Sequence, residues 1–311
     1  MKTLSNGGFN DFKEPTGVVL GNFDGIHIGH AMLVNYLVNS CKARNLVSCL
    51  YTFKDHPQNI IREKEGHLLL TSNKERRDIL NSLNLDFLIL EEFTKDFSQM
   101  KPEEFVKKIL VERLNAKLVV VGENYRFGYK GEGDVEKLKS FAHIYGFDVR
   151  VLPLLYLGTE VVSSSRIRKK LLNGCVEDVC VLLGRFFSLT GEVIHGKKLG
   201  RMLGFPTANV IVENFQALPK TGVYATKTII EEKTYSSITN ISFKEKKDID
   251  KTEGFEFVIE THIFDFDAQI YGEQIKILFL YRVRDEKTFS NLEDLSRQMS
   301  QDVEYVKGRC S

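Results

Sequence analysis

Two histidines near the N-terminus have the spacing and the neighbours of a phosphate-binding site. His27 and His30 lie three residues apart in the segment 21–30, which reads G-N-F-D-G-I-H-I-G-H. Residues with this spacing share one face of a helix. Gly29 lies between them and lets a flat or charged ligand approach the backbone closely.

The residues on either side of this segment indicate how it is held. Residues 17–20 form an apolar run typical of a buried strand, and residues 31–37 have the pattern of a helix face. A glycine-rich corner between strand and helix presents backbone N–H groups at the helix N-terminus, where the helix dipole also favours negative charge. A tight turn of a parallel α/β sheet is the alternative. Two histidines together with Asn22 and Asp24 in the same corner are hard to explain by packing and favour a functional site.

Serines and arginines form a second candidate anion site at residues 163–168, which read S-S-S-R-I-R. Hydroxyl residues before an apolar-periodic run are typical helix N-caps. Three serines followed by two arginines exceed what a cap needs. They can meet a triphosphate through hydroxyls, backbone N–H groups and a bidentate guanidinium.

One loop of the first half could hold a flat ligand. Residues 122–129 read G-E-N-Y-R-F-G-Y and combine glycine, aromatic side chains and a cation. His56, in the shorter segment 54–57, is a separate candidate for a ligand contact. Aromatic faces and a few polar groups are what a ligand pocket offers. A hairpin-like surface loop is the alternative for residues 122–129.

The second half carries a glycine-rich motif at residues 191–209, G-E-V-I-H-G-K-K-L-G-R-M-L-G-F-P-T-A-N. Its glycines at 196, 200 and 204 permit a loop that wraps nucleotide phosphates closely. Thr207 and Asn209 are oxygen donors on one strand face, suited to Mg²⁺ and a phosphate. A glycine-rich turn region without a ligand is the alternative.

The pattern of elements predicts two domains, residues 1–184 and 185–311, as expected for 311 residues. In the first, strands at 17–20, 46–53, 86–90, 117–121 and 147–152 alternate with helices at 73–83, 102–114 and 134–145. This alternation predicts a parallel, Rossmann-like sheet whose ligands bind beyond the carboxyl ends of the strands. After a helix at 176–183, six short strands predict an antiparallel barrel, followed by a helix at 291–306.

Composition narrows the class of protein. The formal net charge is +1, which gives no support to a general nucleic-acid-binding role. Five cysteines without a C-x-x-C pair predict thiols in a reducing compartment. No apolar run approaches the ~20 residues of a membrane span. We therefore expect a cytoplasmic protein with no membrane and no nucleic-acid partner.

Taken together, the motifs resemble those of the bacterial bifunctional riboflavin kinase/FAD synthetases. The resemblance covers about residues 17–302. It includes the family patterns G-N-F-D-G-x-H-x-G-H, G-E-[DN]-F-x-F-G and S-S-[ST]-R-I-R in the first half. In the second half it includes G-x-V-x-H-G-x-x-x-G-R-x-L-G-F-P-T-A-N and E-x-H-x-x-D-F, the latter at residues 260–266.

The resemblance implies that the N-terminal domain adenylylates FMN to FAD and that the C-terminal, six-stranded barrel phosphorylates riboflavin to FMN, both with ATP. The implied catalytic residues are His27, His30, Arg166 and, as base for the ribityl hydroxyl, Glu260. Implied ATP contacts of the adenylyltransferase are Gly21, Asn22, Phe23, Asp24, Gly29, Ser164, Ser165 and Arg168, and implied flavin contacts are Asn124, Tyr125 and Phe127. Implied ATP contacts of the kinase are Gly196, Lys197, Gly200, Gly204, Thr207 and Asn209, the last two also holding Mg²⁺.

One segment departs from the family pattern. Relatives have N-I-G-x-x-P-T-F in a loop after the fourth barrel strand, where this chain reads N-I-S-F-K-E-K-K at residues 240–247. Two alternatives to the bifunctional enzyme follow: an FAD synthetase with a weak or silent kinase, and a non-catalytic flavin or nucleotide sensor. The presence of His27, His30, Arg166 and Glu260 argues against the sensor. Oligomeric state, flavin redox preference and transfer of FMN between sites stay open.

Overall fold

The computed structural model of the protein describes residues 1–5, 12–61, 68–196, 199–213, 216–246 and 254–310. These residues divide into two compact units, Met1–Ser164 and Ser165–Ser311. Each unit has its own sheet.

The first unit is built on a six-stranded parallel sheet. Its strands are β1 (Lys2–Ser5), β2 (Thr16–Leu20), β3 (Val47–Phe53), β4 (Phe87–Glu91), β5 (Ala116–Gly122) and β6 (Asp148–Leu152). They lie in the order β1-β4-β3-β2-β5-β6, and every neighbouring pair is parallel. A small hairpin, β7 (Tyr156–Leu157) and β8 (Glu160–Val161), follows.

Helices cover both faces of this sheet, because the strands are apolar on both sides. Its α-helices are α1 (Ile28–Arg44), α2 (Pro57–Ile61), α3 (Asn73–Asn81), α4 (Lys95–Ser98), α5 (Pro102–Phe105) and α6 (Val135–Tyr145). On one face Val19 packs in a buried cluster with Leu37 of α1. On the other, its neighbour Val18 packs with Leu138 of α6. Adjacent residues of one strand thus serve opposite sides of the core.

The helix predicted over residues 102–114 is present, but most of it is a π-helix. α5 ends at Phe105, and the π-helix spans Val106–Arg113. The Leu114 N–H bonds to the Ile109 carbonyl, five residues back, at 3.0 Å. The π-helix buries Val106, Ile109 and Leu110. Apolar spacing over so few turns does not distinguish a π-turn from an α-turn.

The second unit is a closed antiparallel barrel. Its strands are β9 (Phe187–Ile194), β10 (Ala208–Val212), β11 (Gly222–Ile230), β12 (Lys233–Lys246), β13 (Gly254–Ile263) and β14 (Gln274–Arg284). They close in the order β10-β13-β12-β11-β14-β9. The predicted fold class, a parallel sheet followed by a six-stranded barrel and a final helix, is confirmed.

Among the residues that the structure describes, the second unit also has the helices α7 (Ser164–Leu172), α8 (Val176–Leu183), α9 (Leu199–Met202) and α10 (Leu292–Cys310). α10 packs on the outer wall, where Val306 joins a buried cluster with Val223, Ala225 and Ile238. Across the described ranges, no helix is both long enough and apolar enough to cross a membrane.

The segment that departs from the family pattern is not a loop over most of its length, and that expectation is wrong. β12 continues to Lys246 and pairs with β13 in unbroken register, from Ser242 opposite Val258 to Lys246 opposite Gly254. Proline lacks the N–H that a ladder needs and glycine weakens a strand. The absence of both residues allows the hairpin to extend. Lys247 lies outside the described residues.

The barrel interior contains a chain of hydroxyl groups among apolar side chains. Thr226 bonds to Ser237 and to Thr239 at 2.8 Å each, Thr228 donates to Ser237 at 2.8 Å, and Thr239 bonds to Thr261 at 2.6 Å. All five residues are fully buried. The chain connects β11, β12 and β13.

Candidate active sites

The first site begins at the N-terminus of α1, where His27 is the capping residue. Its Nδ1 accepts a hydrogen bond from the backbone N–H of His30 at 3.2 Å. An accepting nitrogen carries no proton, so the neutral His27 ring has its proton on Nε2. The two imidazole rings stack, with centroids 3.7 Å apart and planes 13° from parallel.

The His30 ring contacts a second aromatic ring, that of Phe23, with centroids 4.8 Å apart and planes tilted by 42°. Burial, together with the neighbouring His27, lowers the pKa of His30 well below its usual range. Its Nδ1 is buried and has no hydrogen-bond partner among the described residues. At pH 7 the ring is therefore neutral and can offer one N–H to a developing negative charge.

Gly29 packs closely against this stack. A Cβ at position 29 would lie 3.2 Å from the His27 ring, closer than ordinary van der Waals contact. A side chain there would require the capping ring to shift by a few tenths of an ångström.

Asp24 holds the corner together from inside. It is 5% exposed, and its Oδ1 accepts the Leu70 N–H at 2.9 Å. Its carbonyl accepts a hydrogen bond from the Ser164 hydroxyl at 2.9 Å. Phe23 and Ile26 have φ of +48° and +38°, which is costly for residues with a Cβ and persists only where the surroundings fix it. The structure thus gives Asp24 a positioning role in the corner, and its contact with ATP stays a prediction.

The remaining residues of the serine–arginine segment follow on α7. Ser165 is exposed, whereas Arg166 and Arg168 are partly buried. The division of the chain assigns all three to the second unit. Their predicted contact with triphosphate stays a prediction.

An aromatic cleft of about 410 Å³ adjoins the corner at Gly21 and Asn22. Tyr125 and Phe127 line it, with stacked rings whose centroids are 5.7 Å apart. Their contact with flavin stays a prediction. Asn124 is exposed and does not line the cleft. The volume is within the range of small-molecule sites, ~300–1,000 Å³.

Sequence reasoning missed most of the aromatic wall. The further aromatic residues are Tyr51, Phe53, Phe93, Phe97 and Phe105. Phe53 ends β3 and Phe93 follows β4 by two residues. Their position at the carboxyl ends of parallel strands is the signal that could have identified them. His56 also lines the cleft.

A buried ion pair supports the cleft. The Tyr51 hydroxyl donates to Glu91 Oε2 at 2.9 Å, and Arg113 of the π-helix donates to the same oxygen at 2.6 Å. Burial raises the pKa of Tyr51. Glu91 is 6% exposed, and a carboxylate so buried is tolerated only when paired. The network therefore fixes the end of the π-helix against the sheet.

The second site is a row of three polar residues on the barrel wall. Asn209 of β10 lies opposite Glu260 of β13, which lies opposite Asn240 of β12. Opposite residues of antiparallel strands place their Cβ atoms roughly 4.5–5.5 Å apart. All three line a cleft of about 260 Å³ that is also lined by Met299 of α10.

A second cleft of about 250 Å³ is lined by Pro206, Thr207, Thr261 and Tyr271. Thr207 lines the first cleft as well. The predicted oxygen donor Thr207 therefore lies where two clefts meet, with Asn209 two residues further along.

Two of the predicted glycines, Gly196 and Gly200, pack closely against these donors. A Cβ at Gly196 would overlap the Asn209 amide, and one at Gly200 would lie 3.2 Å from Thr207 Oγ1. Gly204 has φ of +84°. Lys197 lies outside the described residues.

The donor set fits Mg²⁺ bound together with a nucleotide. No group of three or more His, Cys, Asp or Glu residues suited to a metal occurs in the part of the chain that the structure describes. Mg²⁺ is usually held by one or two protein oxygens, waters and substrate phosphates. The Thr207 hydroxyl and the Asn209 amide, fixed by the contact with Gly196 and next to Glu260, provide that kind of site.

Two further contacts organise the wall of the first cleft. His262 Nδ1 lies 2.8 Å from the Pro206 carbonyl. Arg284 binds Asp302 of α10 through Nε, at 2.9 and 3.1 Å, and through Nη2, at 2.7 Å. Charge-assisted fork geometry of this kind is among the stronger side-chain contacts. It ties the final helix to β14, a pairing across 18 residues that sequence spacing does not reveal.

Comparison with protein families matches two models in order along the chain. The model described as FAD synthetase matches residues 10–166, and the model described as riboflavin kinase matches residues 183–309.

Individual relatives match over nearly the whole chain. A bifunctional riboflavin kinase/FMN adenylyltransferase of Buchnera aphidicola subsp. Schizaphis graminum is 35% identical over 94% of this chain and 93% of its own length. The protein of that name from Escherichia coli K12 is 30% identical over 92% of this chain and 90% of its own. A crystal structure described as a macrolide-efflux protein from Streptococcus pneumoniae is 29% identical, with a TM-score of 0.88 over 98% of both chains.

Proposed function

We propose how two reactions are divided between the sites of this chain, which belongs to the family of bifunctional riboflavin kinase/FMN adenylyltransferases. The chain is a transferase of FAD biosynthesis: it phosphorylates riboflavin to FMN and adenylylates FMN to FAD, with ATP as the donor in both steps. The observation that carries this function is the match of both family models, in order, to the two halves of one chain.

FAD formation is assigned to the corner at α1. An oxygen of the FMN phosphate attacks the α-phosphorus of ATP, the bond to the β-phosphate breaks, and pyrophosphate leaves. The nucleophile is already an anion, so no base is needed. His27 and His30 donate N–H groups to the transferred phosphoryl group, as donors fixed before the reaction do in other charge-stabilising sites.

The other assignments of this site rest on its surroundings. The aromatic cleft that begins at Gly21 and Asn22 suits an isoalloxazine ring, with Tyr125 and Phe127 in its wall. On the sequence pattern alone, we keep Gly29, Ser164, Ser165, Arg166 and Arg168 as contacts of the triphosphate. Asn124 is retained as a flavin contact on the sequence pattern alone.

FMN formation is assigned to the barrel wall. The ribityl 5′-hydroxyl attacks the γ-phosphorus of ATP, ADP leaves, and Glu260 takes the hydroxyl proton. Such transfers depend mainly on positioning and charge neutralisation. Thr207 and Asn209 would hold Mg²⁺, which when bound neutralises phosphate charge. The meeting of two clefts at Thr207 supports this assignment, because donor and acceptor must meet at the transferred group.

The extended hairpin gives no reason to regard the kinase as silent. Asn240 precedes the departure from the family pattern and keeps its place opposite Glu260. The row of Asn209, Glu260 and Asn240 is therefore complete.

Further parts of the proposal concern the setting of the enzyme. We place the domain boundary after Gly184, which caps α8 with φ of +69°, giving domains 1–184 and 185–311. We keep Mg²⁺ as the metal, a cytoplasmic location, and partners limited to small molecules.

One assay of the purified chain tests the proposal. Riboflavin, ATP and Mg²⁺ are supplied, and FMN and FAD are separated by chromatography. Formation of FAD from riboflavin is the expected result. Conversion of supplied FMN alone would indicate an inactive kinase, and binding of flavin without any turnover would indicate a sensor.

A further inference from the structure

We propose that His262 is a positioning residue for riboflavin phosphorylation, which holds Thr207 at the meeting point of the two barrel clefts. The inference rests on the proposed kinase function of this site. His262 makes its contact through the residue that precedes Thr207 in the chain.

The hydrogen bond from His262 has a defined direction. Its Nδ1 lies 2.8 Å from the Pro206 carbonyl, and a carbonyl can only accept, so Nδ1 must carry the proton. The ring is also held edge-to-face by Phe205, with centroids 5.6 Å apart and planes at 82°. Two consecutive residues of the glycine-rich segment thus contact one side chain of β13.

This contact orients Thr207 because of peptide geometry. The Pro206 carbonyl and the Thr207 nitrogen belong to one planar peptide unit. A hydrogen bond to that carbonyl therefore restrains the peptide unit to which the Thr207 nitrogen and Cα belong, and with it the position of the Thr207 side chain.

The segment needs such an anchor. Pro206 has no N–H to donate, and Gly204 turns the chain with φ of +84°. The ladder between β10 and β13 begins only at Ala208, opposite Thr261. His262 supplies a side-chain bond to β13 just before that ladder starts.

On β13, His262 lies close to both the proposed base for riboflavin and the proposed phosphate-binding residue Thr207. It lies two residues after Glu260, so both side chains leave the same face of the strand, and both line the first cleft. One strand thus carries the proposed base and holds the residue at the phosphate side. We therefore expect a change at His262 to disturb nucleotide alignment more than flavin binding.

The test compares three substitutions of one residue. In His262→Asn the side-chain nitrogen is the same number of bonds from Cβ as Nδ1, so it can still donate to Pro206. In His262→Gln the amide is one carbon further out, and His262→Phe keeps a ring but has no donor. We expect Phe and Gln to lower kcat/KM for ATP in FMN formation by roughly 10- to 100-fold, as misplacement by up to about 1 Å does. Asn should restore most of it, and the KM for riboflavin should change less than twofold in all three.

A binding measurement provides a readout independent of turnover. Isothermal titration calorimetry with Mg²⁺ and a non-hydrolysable ATP analogue should show weaker binding to His262→Phe than to His262→Asn. Titration with riboflavin should show equal binding to both. FAD formation from supplied FMN serves as an internal control for folding and should be unchanged.

A double substitution decides whether His262 acts through Thr207. If it does, adding His262→Phe to Thr207→Ala should cost little beyond Thr207→Ala alone, because coupled residues are not additive. Independent, multiplied losses would overturn the proposal. So would a raised KM for riboflavin with unchanged use of ATP, or an Asn variant as impaired as Phe. If the unsubstituted chain did not make FMN, the assignment of the kinase function itself would be wrong.

Discussion

The two sites of this chain position their catalytic groups in different ways. In the first unit, His27 and His30 lie at a loop-to-helix junction and are fixed by a backbone cap and by ring stacking. In the second, Asn209 and Glu260 lie on paired strands and are aligned by the ladder itself. The first arrangement depends on local packing, and the second depends on strand register.

This difference predicts different sensitivities. A corner with left-handed residues and a stacked pair tolerates little added volume, because protein interiors are close-packed. A row on a barrel wall tolerates changes at exposed neighbours, but loses its chemistry when one member is replaced. The substitutions below separate these two kinds of dependence, and each activity serves as the control for the other.

Replacement of the proposed base should have the largest effect. Glu260→Gln should lower the rate of FMN formation by about 10²–10⁴-fold, the usual contribution of a positioned base. FAD formation from FMN should not change. Both rates are measured by chromatography, with Glu273→Gln, an exposed barrel carboxylate, as the matched control. An unaltered rate of FMN formation would remove Glu260 from the mechanism.

Removal of a corner imidazole should give the reverse pattern. His30→Ala should lower FAD formation by about 10²–10³-fold, as expected for a lost donor to a developing charge. FMN formation from riboflavin should stay intact. The control is His143→Ala, because His143 is exposed on α6. If both activities fell in a folded His30 variant, the assignment of two separate sites would be wrong.

A single methyl group tests the packing of the corner. Gly29→Ala places a Cβ 3.2 Å from the His27 ring, and the resulting shift should lower FAD formation about tenfold. Gly308→Ala is the contrasting change, because a Cβ there meets nothing within 4 Å. It should leave both activities unchanged. Equal rates for Gly29→Ala and the unsubstituted chain would show that the stack is not needed.

The smallest expected effect is on stability as a function of pH. Because the pKa of folded His30 is lowered, the unfolded chain binds more protons in the window between that value and about 6.5, the ordinary value. Stability from this residue is complete above that window and is lost as the pH falls through it. Hydrogen exchange of α1, corrected for the intrinsic effect of pH, should be faster at pH 5.5 than at pH 7.5. His30→Gln should reduce this difference, and His143→Gln should not.

The sequence was sufficient for the fold class and for the positions of both motifs. Glycine, strand and helix patterns place residues 21–30 at a strand-to-helix junction, and strand-length runs after Gly184 predict the barrel. These features depend on the local periodicity of apolar residues, which can be read from a single sequence. β1 is an exception, because its four residues are mostly exposed and carry little pattern.

Contacts between distant residues could not be predicted in this way. The wall of the aromatic cleft joins residues from Tyr51 to Phe127, and the pair of Arg284 and Asp302 spans 18 residues. The continuation of β12 depends on a partner strand that pattern alone does not identify. Such features follow from tertiary packing rather than from propensity.

The hydroxyl chain inside the barrel has a consequence for how the enzyme reaches its correct form. A slip of β13 by one residue against β12 would turn Thr261 outward and break its hydrogen bond to the buried Thr239 hydroxyl, and one such bond contributes about 0.5–1.5 kcal/mol. The same slip would turn Glu260 inward, because neighbouring residues of a strand face opposite ways. A slip that removes the proposed base from the catalytic row is therefore also disfavoured inside the barrel. The hydroxyl chain thus favours the strand register that the catalytic row requires.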